Sequence, residues 1–273
     1  MAGTGTFTVL GASGFIGGRL AAHLRAGGHA VATPPRMAAD DYVAALRGRD
    51  LGHVVYCIGL TADFRTRPFE TVEAHVGLLQ RVLGECAFAS LTYLSSTRVY
   101  QHSARGHETE MLRVDPTRRD DIFALSKLLG ESLCLNSGKP VRIVRPSNVF
   151  AEGDPSENFL PSVLREARRT GRVLIKLSAQ SAKDYVAVED VVRWLSAIAT
   201  SGKQTLYNLA AGANTTNGAI AERLRELGIA VDFASGGETI VFPPIDNTRV
   251  AAEFGPPSAS VIDRLPDLLR HQT

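Results

Sequence analysis

The chain has 273 residues, a formal net charge of +2, and is 44% hydrophobic and 21% charged. That length suffices for one α/β unit with an appended lobe, and the charge balance gives no reason to expect a nucleic acid or an acidic membrane as partner. Met1-Ala2-Gly3-Thr4-Gly5 runs straight into an apolar stretch without a basic segment and signal core, and no apolar run approaches the ~20 residues that cross a bilayer. A soluble, cytoplasmic protein is expected. Cys57, Cys86 and Cys134 are widely spaced in apolar patterns, as buried reduced thiols are, and the histidines lack the paired helical spacing of a zinc site, so no metal is expected.

Phe7–Leu10 reads as a strand that enters Gly11-Ala-Ser13-Gly14-Phe15-Ile16-Gly17, and Phe15–Arg25 as a helix with Ile16, Leu20 and Leu24 on one face. Gly11 permits a sharp turn, Gly14 lets backbone N–H groups approach a pyrophosphate, and Gly17 permits close helix-to-strand packing. The competing reading is a tight structural turn; the strand before and the helix after favour a cofactor loop. Gly27-Gly28 closes the helix and His29–Thr33 forms the second strand. Where an NAD site usually presents a carboxylate to the ribose, this chain has Pro34-Pro35-Arg36. Arg36 suits a 2′-phosphate, so NADP is preferred over NAD; the alternative leaves Arg36 solvated, with Asp40 or Asp41 reaching back to the ribose.

A short helix over Asp40–Gly48 and a strand within Gly52–Gly59 follow. The short connection from Thr33 to His53 leaves little room for another strand and crossover helix, so the outer third strand is expected to be lost. Pro68–Ala87 predicts a crossover helix with Val72, Val76, Leu79, Val82 and Leu83 on one side. Leu91–Thr97 is a strand whose end breaks into hydroxyls, where open α/β sheets place ligands. A polar loop (Gln101–Arg119), a helix (Asp121–Asn136) and a strand (Val141–Val144) come next. After Arg145, short elements alternate with loops, as in a smaller lobe without its own parallel sheet. The expected architecture is a Rossmann-type, doubly wound parallel sheet over residues 1–145 with a substrate-binding lobe over 146–273, parts of which return to the main domain. Gly255-Pro256-Pro257-Ser258 stops the chain before a last helix.

Five segments in order resemble the extended branch of the short-chain dehydrogenase/reductase superfamily, the nucleotide-sugar epimerases, dehydratases and ketoreductases. They are Gly11-x-x-Gly14-x-x-Gly17, Ser95-Ser96-Thr97-Arg98-Val99-Tyr100, Phe123-x-x-x-Lys127, Arg145-Pro146-Ser147-Asn148-Val149-Phe150, and Lys183-Asp184-Tyr185-Val186-x-Val188-x-Asp190-Val191. The resemblance implies that Ser96 bonds the reacting oxygen, that Thr97 and Arg98 face the substrate, and that Lys127 anchors the nicotinamide ribose. It places Ile58, Gly59 and Leu60 along the cofactor, with Thr61 near the diphosphate, and Pro146 beside it. Asn148 and Asn158 match positions that bond a nucleotide diphosphate sugar, Lys183 matches one that contacts its phosphates, and Arg249 adds charge. His75 stands where the family usually has Asn and is assigned no catalytic role. The Asp-Glu pair that dehydratases of the family use for elimination is replaced by Thr97-Arg98, so the resemblance favours a 4-ketoreductase or an epimerase.

The family's acid-base residue is a Tyr four positions before the Lys, on the same helical face. Here that slot holds Phe123, which fills the volume but has no proton to exchange. The departure fits an enzyme silenced by a Tyr-to-Phe substitution, an enzyme using another donor, or a cofactor-binding regulator that does not turn over. The retained Ser96 and Lys127 favour the first; Tyr100, His102 and Tyr185 are the other phenol or imidazole candidates, none of them well placed by the resemblance. The apolar faces of Val72–Leu83 and Leu125–Leu135 would suit either a homodimer or ordinary packing on the sheet.

Overall fold

A computed structural model describes residues 5–60 and 63–272. Its first strand, β1 (Thr6–Leu10), buries Phe7 and Val9 on one side of the sheet and Leu10 on the other, as a strand covered by helices on both faces must. After α1 (Phe15–Ala26) come β2 (Ala30–Ala32), α2 (Ala39–Leu46) and β3 (His53–Tyr56). β1 pairs in parallel with both β2 and β3. Only α2 lies between β2 and β3, and the sheet ends at β2, so the expected loss of an outer strand is what the described residues show.

The helix expected over Pro68–Ala87 is built in three pieces: α3 (Pro68–Val72), a π-helical turn (Glu73–Gly77) and α4 (Leu78–Glu85). β4 (Ser90–Leu94), buried along its whole length, leads through a 3-10 turn (Thr97–Tyr100) and a long loop to α5 (Ile122–Asn136) and β5 (Val141–Pro146). The remaining elements are β6 (Asn148–Phe150), α6 (Phe159–Thr170), β7 (Arg172–Ile175), β8 (Ala182–Ala187), α7 (Val188–Ser201), β9 (Leu206–Leu209), β10 (Asn214–Thr216), α8 (Asn217–Glu226), β11 (Ala230–Phe233), α9 (Thr248–Phe254) and α10 (Val261–His271).

The main sheet is six-stranded and parallel, in the order β2-β1-β3-β4-β5-β9. Neighbouring residues divide its two cores. Val55 joins Phe7, Leu20, Leu24, Trp194 and Ile198 under α1 and α7, while Val54 joins Leu10, Val43, Leu79, Tyr93 and Cys134 under α2, α4 and α5. The fold is a Rossmann-type α/β architecture with helices on both faces. Cys86 and Cys134 are buried, Cys57 is half-buried, and all three are free thiols.

Beyond β5 the chain builds two small sheets, β10-β8-β6 and β11-β7, with α6, α8 and α10 packed around Leu164, Val173, Leu224 and Leu265. This corrects the expectation of a lobe without parallel pairing: β6 lies parallel to β8, and β7 to β11. β7 alternates exposed and buried residues, so Val173 and Ile175 reach the lobe core while Arg172 and Leu174 face outward. α7 and β9 leave the lobe and complete the main domain. No described helix is long and apolar enough to cross a membrane.

Candidate active site

The carboxyl ends of β1, β3, β4 and β5 open onto two adjoining cavities of about 470 and 540 Å³. Gly14, Cys57, Ile58 and Gly59 line both, so the glycine loop and the turn after β3 form the ridge they share. At Gly11, with φ +87°, an added Cβ would stand 2.9 Å from the Cys57 carbonyl carbon and the Ile58 nitrogen; at Gly17 it would stand 2.3 Å from the Gly11 oxygen. A side chain is excluded at both. Gly14 caps α1 with no side-chain hydrogen bond, and Gly14, Phe15, Ile16 and Gly17 at the helix start line the first cavity, a favourable place for phosphate.

The second cavity runs from Gly11, Ser13 and Leu60 to Arg36. Asp40 is ion-paired with Arg81 at 2.6 Å, and neither Asp40 nor Asp41 lines the cavity. Of the three candidates for the ribose end, Arg36 alone lines this cavity. Thr61 lies outside the described residues.

At the centre of the first cavity, α5 presents Phe123 and Lys127 one turn apart. Lys127 is buried and donates to the Leu94 carbonyl at 2.8 Å; burial, opposed by Glu131 and Cys57, lowers its pKa to about 7. Burial likewise pushes the neighbouring Cys57 thiol up to about 12. The Phe123 ring packs 5.3 Å from Phe64 and edge-on to His75 at the same distance. Ser96, at the end of β4, accepts a hydrogen bond from the Arg98 N–H at 3.1 Å and caps the 3-10 turn. Among the described residues, its own O–H proton has no acceptor. The Thr97 hydroxyl points to the Pro146 carbonyl at 3.4 Å, so it caps backbone as much as it lines the cavity.

The far wall carries Pro146, Asn148, Asn158 and Lys183. The Asn148 amide donates to the Asp184 carbonyl at 2.8 Å, which ties β6 to β8 and leaves its oxygen free to accept. Asn158 is exposed at the start of α6. The Lys183 amine lies near the rings of Phe159 and Phe242, and burial, then the charge of Arg98, lowers its pKa. Arg249 lines neither cavity. It sits on α9, paired with buried Glu108 at 3.6 Å and donating to the Leu206 carbonyl, and this non-local pairing removes it from the substrate wall.

A family model described as the NAD dependent epimerase/dehydratase family matches residues 7–210. The chain belongs to this family. Its relatives include a dTDP-glucose 4,6-dehydratase of Streptomyces griseus, 26% identical over 190 residues, which cover 65% of this chain. The match spans 56% of that relative's length. Among solved structures, MoeE5 in complex with UDP-glucose and NAD aligns with a TM-score of 0.81 at 20% identity, over 97% of this chain and 98% of the other. RMD from Pseudomonas aeruginosa complexed with NADPH aligns with a TM-score of 0.81 at 22% identity, over 98% of each chain. At these identities the structural likeness is one of fold.

Against the family pattern, His75 has more to do than its sequence context suggests. It lies in the π-helical turn, fully buried, and its Nε2 accepts from the Leu60 N–H at 3.3 Å. Nδ1 must then carry the proton and donate to Ser126 Oγ at 2.8 Å, and Ser126 in turn donates to the Phe123 carbonyl at 3.0 Å. Burial, then the charge of Lys127, holds the His75 pKa down to about 2, so the ring stays neutral. It joins the cofactor-side turn to the helix that carries Phe123 and Lys127. Phe64 carried no sequence signal, because its role comes only from the loop folding back onto Phe123. Of the replacement donors, Tyr100 is bound between Arg145 at 2.6 Å and Asn208 at 2.9 Å, and His102 is paired with Asp121 at 2.9 Å. Tyr185 lines the cavity with its hydroxyl buried and unpartnered, and burial raises its pKa far from a working acid.

Proposed function

We propose that this chain binds NADP in preference to NAD and is built for hydride transfer at a hydroxyl or keto group of a nucleotide-activated sugar, of the 4-ketoreductase or epimerase type. The observation that carries the reading is the convergence of Ser96, Lys127 and the Gly14 loop on one cavity whose far wall holds Asn148, Asn158 and Lys183. The residues present fit a dinucleotide: a glycine cradle at a helix N-terminus, Gly59 with Lys127 Nζ 3.3 Å from where its Cβ would be, and Arg36 at the adenine-ribose end. When bound, a nicotinamide cofactor gives or takes the hydride.

The chain's own residues do the rest. Ser96 donates to the reacting oxygen, Lys127 holds the ribose and stabilises negative charge beside position 123, and Asn148 and Lys183 hold the nucleotide diphosphate. Phe123 cannot pass a proton, so the general-acid contribution of ~10²- to 10⁴-fold is missing from this chain. Its presence in the tyrosine slot also supports the second reading, a cofactor-binding regulator or sensor of the same fold. Exposed Phe69, Val72, Leu129 and Leu135, on the adjacent helices α3 and α5, support a homodimer through that face.

The deciding experiment is Phe123→Tyr. It should give NADPH-dependent turnover with a nucleotide ketosugar, raised about a hundredfold or more over the parent chain. No gain across UDP-, dTDP- and GDP-ketosugars would sink the silenced-enzyme reading and leave the regulator.

A further inference from the structure

We infer that Arg98 selects a sugar that bears a carboxylate close to the reacting carbon. The inference deepens the nucleotide-sugar reading and rests on it. Arg98 belongs to the same 3-10 turn as the hydroxyl that meets the reacting oxygen, its N–H being bonded to Ser96 Oγ at 3.1 Å. Its guanidinium carbon lies 4.9 Å from the centre of the Phe64 ring and 5.8 Å from that of Phe123. Two aromatic contacts hold the planar group in place on the cavity wall, and recognition falls to its N–H edges.

Those edges lack an anion among the described residues. Arg98 forms no ion pair, and its Nε is buried without a hydrogen-bond partner. The nearby carboxylates are engaged elsewhere. Asp120 takes both Nε and Nη2 of Arg65, at 2.6 and 3.0 Å, and Asp121 accepts from Gln101, His102 and the Asp115 N–H. On the lobe side, Asp184 is occupied by Ser147 and by the N–H groups of Ala211, Gly212 and Ala213. A half-buried guanidinium on the cavity wall whose Nε has no internal acceptor is a group prepared for an external one.

Lys183 is a second cation on the same cavity, also without an ion pair among the described residues, and Arg98 is close enough to depress its pKa. A neutral hexose attached to a diphosphate accounts for one anionic end. With the diphosphate on the Lys183 side, the cation beside Ser96 calls for a second anionic group on the sugar itself. A carboxylate matches the fork of N–H donors in plane and spacing, so the substrate class is a nucleotide-linked uronic acid or its keto form.

The test uses the full chain saturated with NADPH. Calorimetry with UDP, dTDP and GDP first identifies the nucleoside diphosphate that binds, and the glucose and glucuronate esters of that nucleotide are then compared. The unaltered chain should bind the glucuronate ester about tenfold more tightly. Arg98→Gln should bring the ratio to about one, whereas Arg98→Lys, which keeps the charge and loses the fork, should retain a preference of about two- to fivefold. Equal affinity of the unaltered chain for the two esters overturns the inference while leaving the nucleotide-sugar reading in place. So does equal weakening of both esters by Arg98→Gln, which would assign Arg98 to the diphosphate or to folding. If no nucleoside diphosphate or ester binds, both readings fall. The ratio in the unaltered chain decides the matter even if Arg98→Gln does not fold.

Discussion

On the cofactor side of the cleft, shape is set by backbone: a Cβ at Gly17 would stand 2.3 Å from one carbonyl oxygen, and at Gly11 2.9 Å from the next strand's main chain. On the sugar side, readiness is set by side chains that have been denied internal partners, among them Arg98 Nε, Ser156 Oγ and Tyr185 OH. The first side excludes by steric contact, and a change there should damage the fold as well as binding. The second attracts by unsatisfied polarity, and a change there should alter selectivity while sparing stability.

The hardest way to break this contrast is Gly17→Ala. Its methyl meets backbone that cannot swing aside, so a loss of about 3 kcal/mol and the disappearance of NADPH binding are expected. As a control, Gly84→Ala places its methyl in open space at an exposed position of α4 and should stabilise by up to ~1 kcal/mol. A Gly17→Ala protein with unaltered melting would end the steric account.

His75→Asn comes next. Because burial holds the native His75 pKa down to about 2, below the ordinary imidazole value of 6.5, the native state binds fewer protons across that window. Stability is therefore held above pH 6.5 and lost as the pH falls, with a slope approaching ~1.4 kcal/mol per unit from this one group. Denaturant titrations at pH 7 and pH 5 should show a smaller acid loss for the Asn variant; equal losses would remove His75 from the account. A smaller effect is expected from Arg36→Asp, which should lower the NADP-to-NAD affinity ratio by about tenfold in a fluorescence titration. Tyr185→Phe should have the smallest effect on the free protein, raising its stability by up to ~1 kcal/mol because an unpartnered hydroxyl is removed. A clear loss of stability would show that the hydroxyl is structural and that the sugar side is less unsatisfied than its geometry indicates.

Much of the cofactor side was legible in the sequence because its constraints are local. Gly11, Gly14 and Gly17 are spaced by the turn itself, Val54 and Val55 alternate between two cores, and the short Thr33–His53 connection cannot hold another strand and crossover. Ser96 and Lys127 belong to segments that carry the family resemblance, and the structure brings both to one cavity. What escaped is non-local or phase-dependent. Nothing near Arg249 in the sequence announces Glu108 as its partner, so the sequence alone does not place its charge. The pairing of β7 with β11 joins segments separated by most of the lobe. The π-helical turn leaves no compositional trace, because Val76 within it and Leu79 just after it both stay buried.

That turn also bears on which lengths of chain the fold tolerates. A π-helical turn is an α-helix carrying one inserted residue. In Glu73–Gly77 the insertion coincides with two sheet tyrosines donating into the helix backbone, Tyr56 to the Ala74 carbonyl at 2.7 Å and Tyr93 to the His75 carbonyl at 3.1 Å. Deleting one residue there would restore an ordinary helix and shift the residues of the turn itself, taking His75 away from Leu60 and both carbonyls away from their tyrosines. A shorter relative of this chain should therefore either lack the two tyrosines or make up the missing residue elsewhere in the same helix.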